Sequence, residues 1–300
     1  MNQIMNGLGR SISKSKVAAI VPVFGLVFGW HTLTAQSLGY EGPTGIFVTP
    51  LASTAPSPAT GFGRPAVAYH LVAGGPVLGE FNTVSVTEGV GKYFELGYTR
   101  AIHAGGSDAA LSSMWTDGYN IIHGKATVIP AGAFGQKWMP AVGVGGILRT
   151  NVGNVGGEVD GKSTTNGDVY LAVTKVIPLI EKVPILLNAG VRGTNASLWG
   201  LAGNAPSFSA VAFGAVGFVF TGPAKSSIVL AAEASQQPQN VSGVSSLDIP
   251  TSFVYAIRVA PSPKHKFNVD LGVLQAAGRV APGIDLQARA RFSLGISYGF

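Results

Sequence analysis

The chain has no cysteine, which removes disulfides, thiolate nucleophiles and cysteine metal sites together. Charge is scarce as well: Asp, Glu, Lys and Arg make up 11% of the 300 residues, against about a quarter in an average soluble domain. Such a deficit calls for a surface that meets lipid or is covered by uncharged polar groups. A third absence is of long greasy runs. After residue 40 nothing approaches eighteen consecutive apolar residues, so helical membrane spans are excluded there. Disorder is excluded too, because 46% of the chain is hydrophobic. The 42 glycines, with plentiful Ser, Thr and Asn, favour tightly turned β structure with small residues at crowded positions.

The most telling feature that is present closes the chain. Ala288, Ala290, Phe292, Leu294, Ile296, Tyr298 and Phe300 are apolar at every second position. Gln287, Arg289, Arg291, Ser293, Gly295, Ser297 and Gly299 between them are polar or tiny. Strand side chains alternate between two faces, so this ribbon has one greasy and one wet side. A strand tilted across a bilayer needs about ten residues, and the alternation runs at least that far. The segment resembles the terminal strand of Gram-negative outer-membrane β-barrels, whose final aromatic belongs to the signal read by the assembly machinery. The resemblance implies that role for Tyr298 and Phe300. It also implies periplasmic chaperones, the barrel-assembly machinery and outer-membrane lipid as partners.

At the other end, Arg10, Lys14 and Lys16 precede an apolar core, Val17 to Trp30, and the small Ala35 follows. This is the pattern of a secretory leader, expected to be cleaved after Ala35, with a single anchor helix as its rival. Without those three basic residues, 17 of the 20 remain against 14 acidic, a net charge of +3. The basicity is then too slight to support nucleic-acid binding. Residues 36–63 carry prolines at 43, 50, 56 and 58, which forbid a central strand. They are expected to form a pre-barrel segment, able to act as a plug.

From residue 64 onward the sequence predicts twelve strands, at 64–73, 81–90, 92–101, 119–129, 137–150, 168–177, 184–193, 209–220, 225–236, 251–260, 266–276 and 287–300. Ten to fourteen remain compatible with the pattern. The connections alternate in length: those after the third, fifth, seventh, ninth and eleventh runs are long, and those after the even runs are short. Outer-membrane barrels have short periplasmic turns and long outer loops, so 64–300 reads as a single antiparallel up-and-down transmembrane barrel with both ends periplasmic.

One face of these runs carries residues such as Val67, Tyr69, Phe94, Leu96, Val144, Leu187, Leu230, Tyr255 and Leu271. The other carries the charges. A charge on the lipid face near mid-bilayer costs about 2–4 kcal/mol, so Glu95, Arg149, Asp168, Arg192, Glu233, Arg258, Asp270, Arg289 and Arg291 are expected to line the pore. Arg149 with Asp168, and Arg258 with Asp270, fall on neighbouring strands where they can pair. Aromatics at strand ends, including Trp138, Phe220, Phe267, Tyr298 and Phe300 on one side and Tyr119 and Phe253 on the other, suit interfacial girdles.

Catalytic and metal constellations are missing from this pattern. His103, Ser107 and Asp108 are too close in sequence for the usual triad, whose members the fold gathers from separated positions. His70 and His123 have no metal-ligand spacing. No cofactor and no enzymatic activity are expected. Gly42 to Pro50 also looks like the opening of some outer-membrane proteins linked to exopolysaccharide export. The expectation is therefore an outer-membrane barrel passing a small or linear polar solute through a narrow charged lumen. A closed barrel working through its outer loops is the alternative; a rim hydrolase or a soluble sandwich are remoter ones.

Overall fold

The computed structural model describes residues 37–109, 112, 115, 117–151, 164–180, 183–238, 240–241, 244–261, 266–279 and 290–300. Its strands are β1 (Ala66–Gly75), β2 (Gly79–Val90), β3 (Phe94–Ala104), β4 (Tyr119–Ile129), β5 (Ala141–Thr150), β6 (Asn166–Ile180) and β7 (Val183–Ala196). They continue with β8 (Asn204–Thr221), β9 (Ser227–Gln236), β10 (Asn240–Val241), β11 (Val244–Ala260), β12 (Phe267–Arg279) and β13 (Arg291–Gly299). The two-residue β10 is an appendage paired with β11, while β9 pairs with β11 directly. The remaining twelve form one antiparallel ring, closed where β13 pairs with both β12 and β1. Ala66 lies opposite Gly299, and Phe267 opposite Tyr298. Closure leaves the ring without a free edge strand, the condition for a sheet to cross hydrocarbon.

Side-chain alternation decides which face meets lipid. On β3, Phe94, Leu96 and Tyr98 are exposed, while Glu95 and Thr99 are buried. Across the ring, Val144 lies opposite Leu171, which lies opposite Val191, forming part of a continuous apolar belt at mid-height. That belt makes this a transmembrane barrel. No helix among the described residues is long and apolar enough to cross a membrane.

The strand count agrees with the sequence reading. The long-short alternation of connections holds except at 130–140, which is longer than the 197–203 connection on the opposite rim, and the element ends shift. β5 begins at Ala141, because residues 133–135 make a short 3-10 turn and leave Trp138 in the connection. β8 and β11 start earlier than anticipated, at Asn204 and Val244, extending the wall beyond the long-loop rim. β13 is described from Arg291, and the anticipated residues 287–289 lie outside the described ones. Tyr119 is buried inside instead of joining a girdle. It shares the inward row of β4 with Ile121, His123 and Lys125, so turning it outward would carry His123 and Lys125 into lipid.

A ring of twelve strands is wider than the eight-stranded barrels that wall side chains alone can fill. The interior here holds residues 37–55, nearly all of them buried. The chain then runs along the short-turn rim, where the Gly63 amide donates to Gly89 O at 2.8 Å before β1 begins.

Val191→Arg, at the centre of the outward belt, is expected to lower the unfolding free energy in lipid vesicles by about 2–4 kcal/mol. Val191→Leu should leave it within about 0.5 kcal/mol of the parent. Equal stabilities for the two variants, in urea titrations followed by heat-modifiable gel mobility, would contradict the lipid-facing assignment.

Candidate functional site

The buried segment 37–55 is a compact double turn with hydrogen bonds of its own. Tyr40 N donates to Phe47 O at 2.6 Å, Gly45 N to Ser37 O at 2.9 Å and Leu51 N to Thr44 O at 3.1 Å. Gly42 turns the chain at φ 103°, a left-handed value that favours glycine. A Cβ there would also stand 2.4 Å from Thr99 Oγ1 and 2.7 Å from the His123 ring. The segment's carbonyls and amides still need partners, and the barrel wall supplies them.

Four charged side chains do most of this. Glu233, on β9, accepts the consecutive amides of Phe47 (2.7 Å), Val48 (3.1 Å) and Thr49 (2.7 Å), together with the Thr49 hydroxyl at 2.6 Å. Three amides converging on one carboxylate form an anion nest. Glu95, on β3, accepts Thr44 N at 3.0 Å, Thr44 Oγ1 at 2.6 Å and Ala55 N at 2.7 Å, and pairs with Lys125 Nζ at 3.1 Å. Lys125, on β4, donates onward to the carbonyls of Thr44 (2.7 Å) and Leu51 (3.1 Å). Arg258, on β11, holds Asp270 of β12 in a fork at 2.6 and 2.7 Å while its other donors reach Ser37 Oγ and the carbonyl of Ile46 at 2.9 Å.

A second charge cluster sits nearer the long-loop rim. Arg149 Nε donates to Glu41 at 2.6 Å, and its Nη2 donates to Asp168 at 2.7 Å. Arg192 lies 3.6 Å from the same Asp168 carboxylate and bonds Ser235 Oγ at 3.0 Å. Neutral groups complete the cradle. Thr83, Thr87 and Thr99 donate to the carbonyls of Tyr40, Gly42 and Glu41 at 2.8–2.9 Å, and Asn188 donates to Pro50 O at 3.1 Å. Buried charge is costly unless paired and hydrogen-bonded, and each of these charges has at least one such partner, Glu41 through Arg149.

Among the described residues, the β7–β8 connection covers this arrangement at the long-loop mouth. Residues 197–203 fold inward, Trp199 is 1% exposed, and Trp115 Nε1 donates to Leu201 O at 3.0 Å. Phe81, His103 and Trp115 pack beneath, edge-on or tilted, with ring centroids 5.0–5.3 Å apart. His103 Nε2 lies 2.5 Å from Leu78 O, within this packing. The cavity lined by Tyr40, Phe81, His103, Trp115, Tyr119 and Leu201 is about 10 Å³, room for roughly one water.

Glu95, Arg149, Asp168, Arg192, Glu233, Arg258 and Asp270 all face inward and are buried. They meet the segment or one another instead of open water, because the segment occupies the space in front of them. Arg291 is half-buried at the long-loop end of β13, and Arg289 lies outside the described residues. Sequence reasoning missed Lys125, Glu41 and the threonine cradle. Lys125 was readable from its place in the row with His123; the threonines carry no signal apart from their alternation.

Over residues 80–281 the chain matches the family model described as "Protein of unknown function (DUF3034)". It belongs to that family. No curated protein matches the chain. Among solved structures, this family member is similar to the NanC porin, at 9% identity over 78% of this chain and 100% of that one, with a TM-score of 0.48. It is similar to the COG4313 outer membrane channel from Pseudomonas putida F1, at 12% identity over 81% and 97%, with a TM-score of 0.46. The KdgM porin in complex with disordered oligogalacturonate is 9% identical over 78% and 99%, with a TM-score of 0.44. These likenesses are of architecture.

Glu233→Gln leaves one carbonyl oxygen where two carboxylate oxygens received four donors. Hydrogen bonds to a charged group contribute about 1.5–3 kcal/mol each. Hydrogen-exchange protection of the Phe47 and Thr49 amides is therefore expected to fall by about tenfold or more, with β3 and β12 amides unchanged. Unchanged protection at Phe47 would show that the nest does not hold the segment.

Proposed function

We propose that this protein is an outer-membrane channel held shut by its own residues 37–55, which must be displaced before a small polar solute can pass. The observation carrying this reading is the chemistry of the wall beneath the segment. Thr83, Thr87, Thr99, Asn188, Glu95, Lys125, Glu233 and Arg258 are groups that water can satisfy as well as the segment does. Withdrawing the segment therefore leaves polar groups that water can satisfy between apolar patches around Ile121, Ile147 and Phe213 and around Phe81, Val254 and Leu274, whereas a wholly apolar interior would oppose opening at every position. Passage needs no catalytic group; lumen charge and loop folding set selectivity.

The short connections and both ends of the barrel share one rim, the arrangement of a barrel whose short turns face the periplasm. On this reading the leader at 1–35 delivers the chain, periplasmic chaperones and the assembly machinery receive it, and Tyr298 and Phe300 serve as the terminal signal. The second reading, a permanently closed barrel acting through its outer loops, draws support from the inward-folded 197–203 and the contact of Trp115 with Leu201.

Planar-bilayer recordings separate the two. The intact mature barrel is expected to be nearly silent, and a variant lacking residues 38–55 should show steady steps, with mean conductance up by about tenfold or more. Heat-modifiable mobility confirms that the deletion variant is folded. A folded, silent deletion variant would rule out the channel reading and leave the closed one.

A further inference from the structure

The short-turn rim is strongly basic on its outside. Lys92, Lys137, Lys225 and Lys266 stand in four of the five short connections, Arg64 precedes β1, and Lys175 lies toward the same end of β6. None of the six is in an ion pair among the described residues. Lys92, Lys137, Lys225 and Arg64 are exposed; Lys175 is half-buried, its Nζ donating to Lys137 O at 2.6 Å. Among the described residues, only Glu88 stands against them at that rim. The described residues of the long-loop rim show no such excess, since Glu80, Asp108 and Asp117 accompany Arg100 and Arg291 there.

A second observation fixes what this ring faces. Its basic groups have aromatic neighbours, most of them exposed. Lys92 is two residues from Phe94 (56% exposed), Lys137 adjoins Trp138 (66%) and Lys266 adjoins Phe267. Phe300 (53%) is tied to the start of β1 beside Arg64, its amide donating to Pro65 O at 3.1 Å. Aromatics so placed mark the headgroup level of a bilayer, and a lysine at that level extends its ammonium into the phosphate layer. The ring therefore lies in the plane of the headgroups, where zwitterionic lipids offer no net charge and anionic lipids do.

We propose that this rim is a docking surface for anionic phospholipids of the leaflet it borders, retaining phosphatidylglycerol-type headgroups in preference to zwitterionic ones. The inference rests on the membrane placement of the barrel and on neither reading of its lumen. Trp138 reports on it, because Trp115 and Trp199 sit inside the opposite mouth. The full mature chain is reconstituted into vesicles containing brominated phosphatidylglycerol or brominated phosphatidylcholine at equal mole fraction. A Trp138→Phe variant identifies the quenched signal.

Quenching by the anionic lipid is expected to correspond to about threefold enrichment at the rim. The preference should fall to parity in K92Q/K137Q/K225Q and weaken at about 0.5 M salt, with total quenching by phosphatidylcholine unchanged. Equal quenching by both lipids in the parent overturns the proposal while leaving the membrane placement intact. Absence of quenching by either overturns both. If soluble polygalacturonate binds the parent but not the triple variant, and no lipid preference is seen, the ring serves an acidic polymer and the proposal falls.

Discussion

Twelve strands enclose more space than their own side chains fill, and the rest of this structure answers that constraint. Wall residues project inward from opposite sides without meeting at the axis, so the axis must hold water or more chain. Here it holds residues 37–55. A chain segment brought into a barrel carries its backbone donors and acceptors with it, and every one taken out of water needs a partner. The wall meets that need with threonine hydroxyls, an asparagine and charged groups aimed at particular carbonyls and amides. The charge in the wall and the segment within it are two sides of one requirement.

The same constraint explains how the charges are shared. Glu233 has no basic side chain as an ion-pair partner among the described residues, and three consecutive amides take that part. Arg258 divides its donors between Asp270 and the segment's carbonyls; Lys125 does so between Glu95 and two carbonyls. Each side chain bridges wall to segment, so the interior is held by many bonds of moderate strength. None of them is of a kind that water could not replace. The polar part of this interior is compatible with both a filled and a hydrated state, while the apolar patches around Ile121 and Phe213 and around Phe47 and Val254 favour the filled one.

Outside, the physics is simpler. Lipid accepts the Val144, Leu171 and Val191 row because nothing in it needs a partner. At the short-turn rim the demand changes within one or two residues, from apolar Phe94 and Trp138 to Lys92 and Lys137. The rim thus marks the depth at which hydrocarbon gives way to headgroups.

Strand number, ring order and the inward direction of Glu95, Arg149, Asp168, Arg192, Glu233, Arg258 and Asp270 were legible in the residues alone. They follow from a period of two and from connection lengths, both properties of short stretches of chain. Tyr119 was misplaced because β4 carries polar and apolar residues on one face, which blurs the period there. What fills the ring was decided by tertiary structure. Phe47 meets Glu233 across 186 residues and Ile46 meets Arg258 across 212. Alternation says which way a side chain points; only the closed fold brings opposite walls within one segment's reach of each other.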